Sequence, residues 1–319
     1  MTYSIAIRTL GTNPEILKKE LQSIERQALK PEKVVIYIAQ GYSKPNFVVG
    51  KEEYVYVKKG MVAQRALRYD EISSDYILML DDDVELAEDS AERMLAAMRS
   101  GGVICVAADT FKNQEMTIIQ KIKAVISTGA MPRKDDGWAF KQRMDGSFSY
   151  NSNPKKNFCL TQTFAGPCWM IKKSVLKDIR LQDELWLDDL GFAYGDDAVE
   201  SYKIFRNGFK LGVLYDSGVI NLDGKSVSSK YHSNMKKFYT RSFGMFIIWH
   251  RMLYSNSTKK VFVAIALVLK LSWQLILHVV MAIVMLKMEV VSNFIDGLFD
   301  AIKFVKSDRY KSLPPYILK

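Results

Sequence analysis

The chain holds only three cysteines, Cys105, Cys159 and Cys168. Three cannot all pair and none forms a CxxC, which excludes a disulfide scaffold and a thiolate zinc site and fits a reducing cytosol. The three histidines, His232, His250 and His278, form no HExxH motif. Eighteen glycines and eight prolines are too few for a collagen-like or low-complexity chain. The start, MTYSIAIRTLGTNPEILKKE, has no basic stretch leading into a long apolar run, so no cleaved signal peptide is expected. Acid is also in deficit: 35 Asp and Glu stand against 45 Lys and Arg, a net charge of +10. Such a balance goes with nucleic acid, anionic lipid or phosphorylated ligands.

What is present is a chain of 319 residues, 48% hydrophobic and 25% charged. A chain of that size buries roughly 75% of its unfolded surface and needs no covalent staple. Its first 110 residues alternate two periodicities. Short apolar runs at 4–7, 34–39 (VVIYIA), 54–57, 76–80 (YILML) and 103–107 (VICVA) read as strands. Between them, Ile16, Leu17, Leu21, Ile24 and Leu29 lie on one helical face opened by Pro14, and residues 62–72 and 87–99 also read as helices. Continuously apolar strands separated by helices predict an α/β fold with a mostly parallel sheet covered on both faces. Residues 111–160 are polar and irregular and read as a long insertion or loop, in which Tyr150, Lys155 and Lys156 are exposed candidates for acceptor contact. Structure returns at 163–171 (TFAGPCWMI), 173–176, 185–190 and 211–215.

Ligands of open α/β sheets bind beyond the carboxyl ends of the strands. The run YILML ends in Asp81-Asp82-Asp83. The triplet is either a solvated acidic turn or a hard-oxygen site for Mg²⁺ or Mn²⁺, which proteins hold partly through substrate phosphates. A second acidic pair, Asp196-Asp197, opens a helical stretch in which Val199, Tyr202 and Phe205 face inward and Asn207-Gly208 marks the end. One aspartate there is explained by capping and the helix dipole. Its neighbour is a candidate general base.

In order, SIAIRTLG, KKGMVAQRAL, SSDYILMLDDDVEL, FAGPCWMIKKSVL and GDDAVESYKIFRNGFKL resemble the family-2 glycosyltransferases of GT-A fold, and the stretch from FYTRSFG to FIDGLFDAIK resembles the helical tail of bacterial members that build surface polysaccharides. The resemblance covers nearly the whole chain. It implies a Rossmann-like catalytic domain over 1–225 and a helical, membrane-associating region over 226–319. It also implies inverting transfer of a sugar from a nucleotide donor (a UDP-, GDP- or dTDP-sugar), with Mn²⁺ or Mg²⁺, to a glycan or lipid-linked glycan acceptor. By the same resemblance Arg8 and Thr9 line the base pocket and Arg65 lies near the nucleotide. Asp81 contacts the ribose or the metal shell, Asp83 binds the metal, and Asp82 can substitute for either. Asp197 is the base and Asp196 takes the place of the acid that precedes it. The chain departs from the family twice. Ile38-Ala39-Gln40-Gly41 lacks the usual acid, leaving Gln40 to meet the base, and Asn221-Leu222-Asp223-Gly224 stands where many members have His-x-x-Gly. Either Asn221 or Asp223 then supplies oxygen to the metal or the third protein ligand is missing, and His232 is the nearby histidine.

Residues 261–286 are apolar and long enough to cross a membrane, but Lys270, Gln274 and His278 fall four apart on one face. That stripe fits a helix lying on a membrane or packed on the catalytic domain. Residues 288–304 repeat the pattern, with Val291, Ile295, Leu298 and Ile302 on one side, and Lys236, Lys237, Arg241, Arg251, Lys259 and Lys260 precede the pair. Basic residues beside apolar helices suit the anionic inner face of a cell membrane, with a homodimer through these helices as an alternative. Two rival functions remain: a non-catalytic nucleotide-sugar-binding scaffold, and a phosphotransferase of haloacid-dehalogenase type. Nucleic acid is not expected, because the cations are not interleaved with exposed aromatics.

Overall fold

A computed structural model describes residues 1–110, 126, 129–190, 195–222 and 235–318. In chain order the elements are β1 (Tyr3–Thr9), α1 (Pro14–Glu25), β2 (Val34–Ala39), β3 (Glu52–Val57), β4 (Tyr76–Asp81), β5 (Val84–Leu86), α2 (Ser90–Gly101) and β6 (Cys105–Ala108). There follow β7 (Met131–Arg133), β8 (Phe140–Gln142), β9 (Phe148–Asn151), β10 (Phe158–Thr161), β11 (Cys168–Lys172) and α3 (Lys173–Ile179). A 3-10 segment (Leu181–Leu190) leads to α4 (Asp196–Arg206), β12 (Leu211–Leu214) and β13 (Val219–Asn221). The chain ends in helices α5 (Lys236–Trp249), α6 (Lys260–Met285), α7 (Glu289–Lys306) and α8 (Asp308–Lys311), with a π-helical turn (His250–Tyr254) after α5.

Eight strands form one sheet in the order β10-β12-β6-β11-β4-β1-β2-β3. β3, β2, β1 and β4 are mutually parallel, as are β6 and β12, whereas β11 runs antiparallel between β4 and β6. Every residue of β2 and β6 is buried, as expected of strands covered on both faces. Alternate residues divide between two cores. Ile5, Ile7, Leu78 and Leu80 pack against Leu17, Leu21 and Ile24 of α1 and Met94 and Met98 of α2. Ala6, Ile77, Met79 and Trp169 pack on the other side with Ile179 of α3 and Ile204 of α4. A third core joins Val62, Trp186, Val199 and Tyr202 to Trp249, Val263, Leu267 and Tyr310 of the C-terminal helices.

Three expectations are corrected. Residues 62–72 do not form a helix; they open on a turn, in which the Ala66 N–H donates to Val62 O at 2.7 Å. The Asp188 carboxylate holds its start, accepting from the N–H groups of Val62 and Ala63 at 3.0 and 2.9 Å, and Tyr69 then takes a left-handed φ of 54° that ends the run. Within 111–160, residues 131–151 build a small sheet in the order β7-β9-β8, and β10 joins the main sheet. Tyr150 sits half-buried in that small sheet; Lys155 and Lys156 are exposed beyond it. In α7 the buried seam is Val290, Phe294, Gly297 and Ala301, one position before the expected face. A Cβ at Gly297 would run into the Tyr239 carbonyl and Ser242 hydroxyl of α5, so glycine lets the two helices approach.

Candidate active site

The sheet brings the expected residues to one edge. Arg8 at the end of β1 registers with Asp81 at the end of β4, and Thr9 with Ile38, two residues before Gln40. Gln40 is exposed at that edge, bonded through its backbone to Val57, and lies outside the charged cluster. Arg8 pairs through Nε with Asp81 Oδ1, and through Nη2 with Asp81 Oδ2 at 3.1 Å. Its Nη1 donates to Met61 O at 2.8 Å and to Asp196 Oδ2 at 3.3 Å.

Arg65 is the hub. Its Nη1 donates to Asp197 Oδ1 at 2.6 Å and Glu200 Oε2 at 3.1 Å; its Nη2 donates to Asp81 Oδ1 at 3.2 Å and Gly166 O at 3.0 Å. The turn held by Asp188 places this guanidinium, and the Tyr69 hydroxyl, which donates to Arg65 O at 2.5 Å, fixes its backbone. Gly166 has to be glycine, because a Cβ there would collide with the Asp197 carboxylate and the Arg65 guanidinium. Asp196 and Asp197 lie in the first turn of α4 but make no side-chain cap. Instead they turn to the arginines.

Four carboxylates, Asp81, Asp196, Asp197 and Glu200, thus share two guanidiniums. Burial pushes the Asp81 carboxyl up, but Arg8 and Arg65 outweigh it and hold it below the usual range. Burial and the neighbouring Asp197 raise Asp196 to about 6, against the pull of both arginines. Burial lifts Glu200 to about 8; Arg65 opposes this, and Asp196 adds to it. Asp197 is the most open of the four, with 32% of its side chain exposed against 2% for Glu200.

Beside this cluster the Thr9 hydroxyl bonds Asp82, whose carboxyl is raised chiefly by burial. Strand β13 pairs with β5 so that Asn221 faces Val84, and the Leu222 N–H donates to Asp83 O at 2.7 Å, which sets Asn221 beside the acidic triplet. Asp223 and His232 lie outside the described residues. Glu20 of α1 is wholly buried with both carboxyl oxygens unbonded; burial first, then Asp82, Asp83 and Asp81, raise its pKa well above the usual range. No cluster of three His, Cys, Asp or Glu side chains able to cage a metal occurs among the described residues. The hard oxygens and surplus acid of the triplet nevertheless fit a divalent cation held by few protein atoms and completed by phosphate oxygens.

Reading the sequence alone gives Glu200 a part only in the phosphotransferase alternative, and misses Glu20 and Asp188. Glu200 follows Asp196 by four residues and so shares its helix face, and Glu20 falls between Leu17, Leu21 and Ile24 on the buried face of α1. Both signals were available. Asp188 acts on backbone 126 residues away, which no local pattern reveals.

No curated protein matches the chain by sequence. Among solved structures, it is similar to S. aureus TarS 1-349, with a TM-score of 0.55, 12% identity, and coverage of 98% of this chain and 83% of that one. The same TarS fragment in complex with UDP-GlcNAc gives 0.56 and 14%, covering 98% and 84%. These likenesses extend the common fold over the α4 region and the C-terminal helices. The sequence profile of Glycosyl transferase family 2 matches residues 14–180, from the first residue of α1 to the residue after α3. That span is more than half of the chain and carries Arg65, the acidic triplet and Gly166, which decides against the phosphotransferase alternative: the chain belongs to glycosyl transferase family 2, with the GT-A fold, and is a glycosyltransferase.

Proposed function

We propose that the protein is an inverting, metal-dependent glycosyltransferase. It takes a sugar from a nucleoside-diphosphate donor to a glycan or lipid-linked glycan acceptor in envelope polysaccharide synthesis, at the cytoplasmic face of the cell membrane. The observation that carries this reading is the acid-rich cluster at the carboxyl edge of the sheet, with Asp197 its most exposed carboxylate. The UDP-GlcNAc complex of the similar TarS fragment supports a nucleotide-sugar donor. Residues 1–225 form the catalytic unit and 226–319 the membrane-facing one.

In this reading the acceptor hydroxyl oxygen attacks the anomeric carbon, the bond from that carbon to the diphosphate oxygen breaks, and the hydroxyl proton passes to Asp197. A positioned base of this kind contributes roughly 10²–10⁴-fold. Arg65 orients Asp197 through the 2.6 Å ion pair, and Gly166 leaves room for it. Arg8 and Thr9 line the donor side, and Gln40 stands where the base is met. Asp83 and Asn221, with Asp82, are the oxygens that would hold Mn²⁺ or Mg²⁺, which when bound neutralises charge on the departing diphosphate. Asp81 is committed to Arg8 and Arg65, so its part is to fix those cations beside the donor.

Calorimetric titration of UDP, GDP and dTDP, with and without Mn²⁺, into the protein and its Asp83→Ala variant tests the reading. Binding of one nucleotide that requires both the metal and Asp83 is expected. Folded protein that binds none of the three would overturn the donor site.

A further inference from the structure

We infer that α6 (Lys260–Met285) lies flat in one leaflet of an anionic bilayer as an in-plane anchor and does not cross it. The inference rests on the membrane association proposed above and adds its geometry. By length and composition alone α6 could span a membrane. Its surroundings argue otherwise. One stripe of the helix faces the protein from end to end. Val263 and Leu267 pack with Trp249, Met252 and Leu253. At mid-helix Lys270 Nζ donates to Asp145 O at 3.2 Å, in the turn between β8 and β9. The His278 ring stacks on Phe294 at 4.3 Å and meets Phe238 edge-on at 5.4 Å, and Ala282 packs with Phe238 and Val290. The polar stripe legible in the sequence is therefore turned inward.

The opposite face is left apolar. Val261, Ile265, Leu269, Trp273, Ile276 and Val284 are exposed, and Ser272 is the single exposed polar residue from 261 to 286. Twenty-six helical residues extend about 39 Å, far more than the scattered apolar side chains of an ordinary surface. A helix backed by folded protein along its whole length cannot cross a bilayer without taking that protein with it. Crossing would place Arg143 and Asp145, which flank the turn that receives Lys270, at hydrocarbon depth. Lying flat costs nothing of the kind. Lys259 and Lys260 at one end and Lys287 at the other are exposed, where ammonium groups reach anionic headgroups while the apolar face sinks below them. The helix that precedes the anchor touches the active site: Ile248, near the end of α5, lies against Gly195, the residue before Asp196 and Asp197.

The full chain is mixed with phosphatidylcholine vesicles with and without phosphatidylglycerol. Flotation of the protein with the anionic vesicles is expected, with quenching of Trp273 fluorescence by lipids brominated on the acyl chain and loss of that quenching in Trp273→Phe. The paired substitution Leu269→Asp and Ile276→Asp, on the outer face alone, is expected to weaken flotation about tenfold or more while leaving nucleotide binding unchanged. Lys259→Cys and Lys287→Cys, each labelled with a membrane-impermeant maleimide added outside the vesicles, separate the geometries. Both ends labelled supports the flat helix, and one end protected overturns it in favour of a span. Failure to float, with or without dimerisation in solution, overturns the anchor while leaving sugar transfer standing. Flotation by a protein that binds no nucleotide overturns the enzymatic reading and not the anchor.

Discussion

Two buried charge clusters lie along one stripe of α4, and they are built on opposite principles. Asp196 and Glu200, in its first half, share Arg8 and Arg65 with Asp81 and Asp197, so acid exceeds base. One turn on, Lys203 Nζ donates to Glu184 Oε1 at 2.8 Å, and Arg251 holds both oxygens of the same carboxylate at 2.8 and 3.1 Å. The Trp186 Nε1–H adds a fourth bond at 2.7 Å. Burial raises Glu184, but Arg251 and Lys203 outweigh it and its pKa is lowered, whereas Asp196 and Glu200 end up raised. A matched cluster clamps: it ties α4, the 3-10 segment and the π-helical turn together, joining the sheet domain to the C-terminal helices. An unmatched one is poised for something else, a cationic ligand or a proton in transit. The same helix thus carries a clamp at one end and the groups proposed to act on substrate at the other.

The comparison is broken most severely at Asp197. Asp197→Asn is expected to lower kcat for sugar transfer by roughly 10²–10⁴-fold, with the midpoint of urea unfolding unchanged. Full activity in that variant would remove Asp197 from the chemistry. Glu184→Ala is the converse. It leaves the buried Arg251 without its carboxylate and Lys203 with Asp183 alone, at 3.6 Å, and should cost about 3–5 kcal/mol in urea unfolding, with donor affinity in the surviving folded protein preserved. If Asp197→Asn unfolded the protein and Glu184→Ala merely slowed it, the roles of the two clusters would be exchanged.

A gentler perturbation separates them by pH. The Glu200 carboxyl is raised to about 8 in the folded chain, against about 4.3 when unfolded. The folded state therefore holds a proton that the unfolded state has released, and stability falls as pH rises between those values. Glu200→Gln should flatten this decline, so that the two stability curves diverge steadily from about pH 5 to pH 8. Glu184, with its pKa lowered, works in the other direction. Its contribution is complete above the unfolded carboxylate pKa and fades in more acid solution.

How much of this was legible depends on how far the determining partner lies along the chain. VVIYIA and YILML announce buried strands because each residue is apolar in its own right. Asp81, Asp196 and Asp197 stand out because acids at the ends of apolar elements need a reason. The stretch at 62–72 was misread because its apolar spacing is helical while the geometry of its opening turn is set by Asp188. The small sheet was missed because strands of three or four residues are too short to show a period. The matched cluster was invisible for the same reason as Asp188: Glu184 and Arg251 are 67 residues apart, and neither is unusual in its own neighbourhood.

The smallest expected effect sharpens the comparison most. Glu20 is buried beneath the acidic triplet with neither carboxyl oxygen bonded, and burial together with Asp82, Asp83 and Asp81 keeps it protonated far above the normal range. A neutral carboxylic acid and a carboxamide are nearly the same size. Glu20→Gln should therefore change stability by no more than about 1 kcal/mol in acid, where the wild-type carboxyl is neutral in both states. A gain over the wild type should then grow as pH rises above about 4.3, where the unfolded wild type releases a proton that the folded chain keeps, so that the variant is the more stable at neutral pH. A large loss in Glu20→Gln would mean that the carboxylate is charged and balanced by a cation. The acid surplus would then extend through α1, and Glu20 would join Asp82 and Asp83 among the groups proposed to hold the metal.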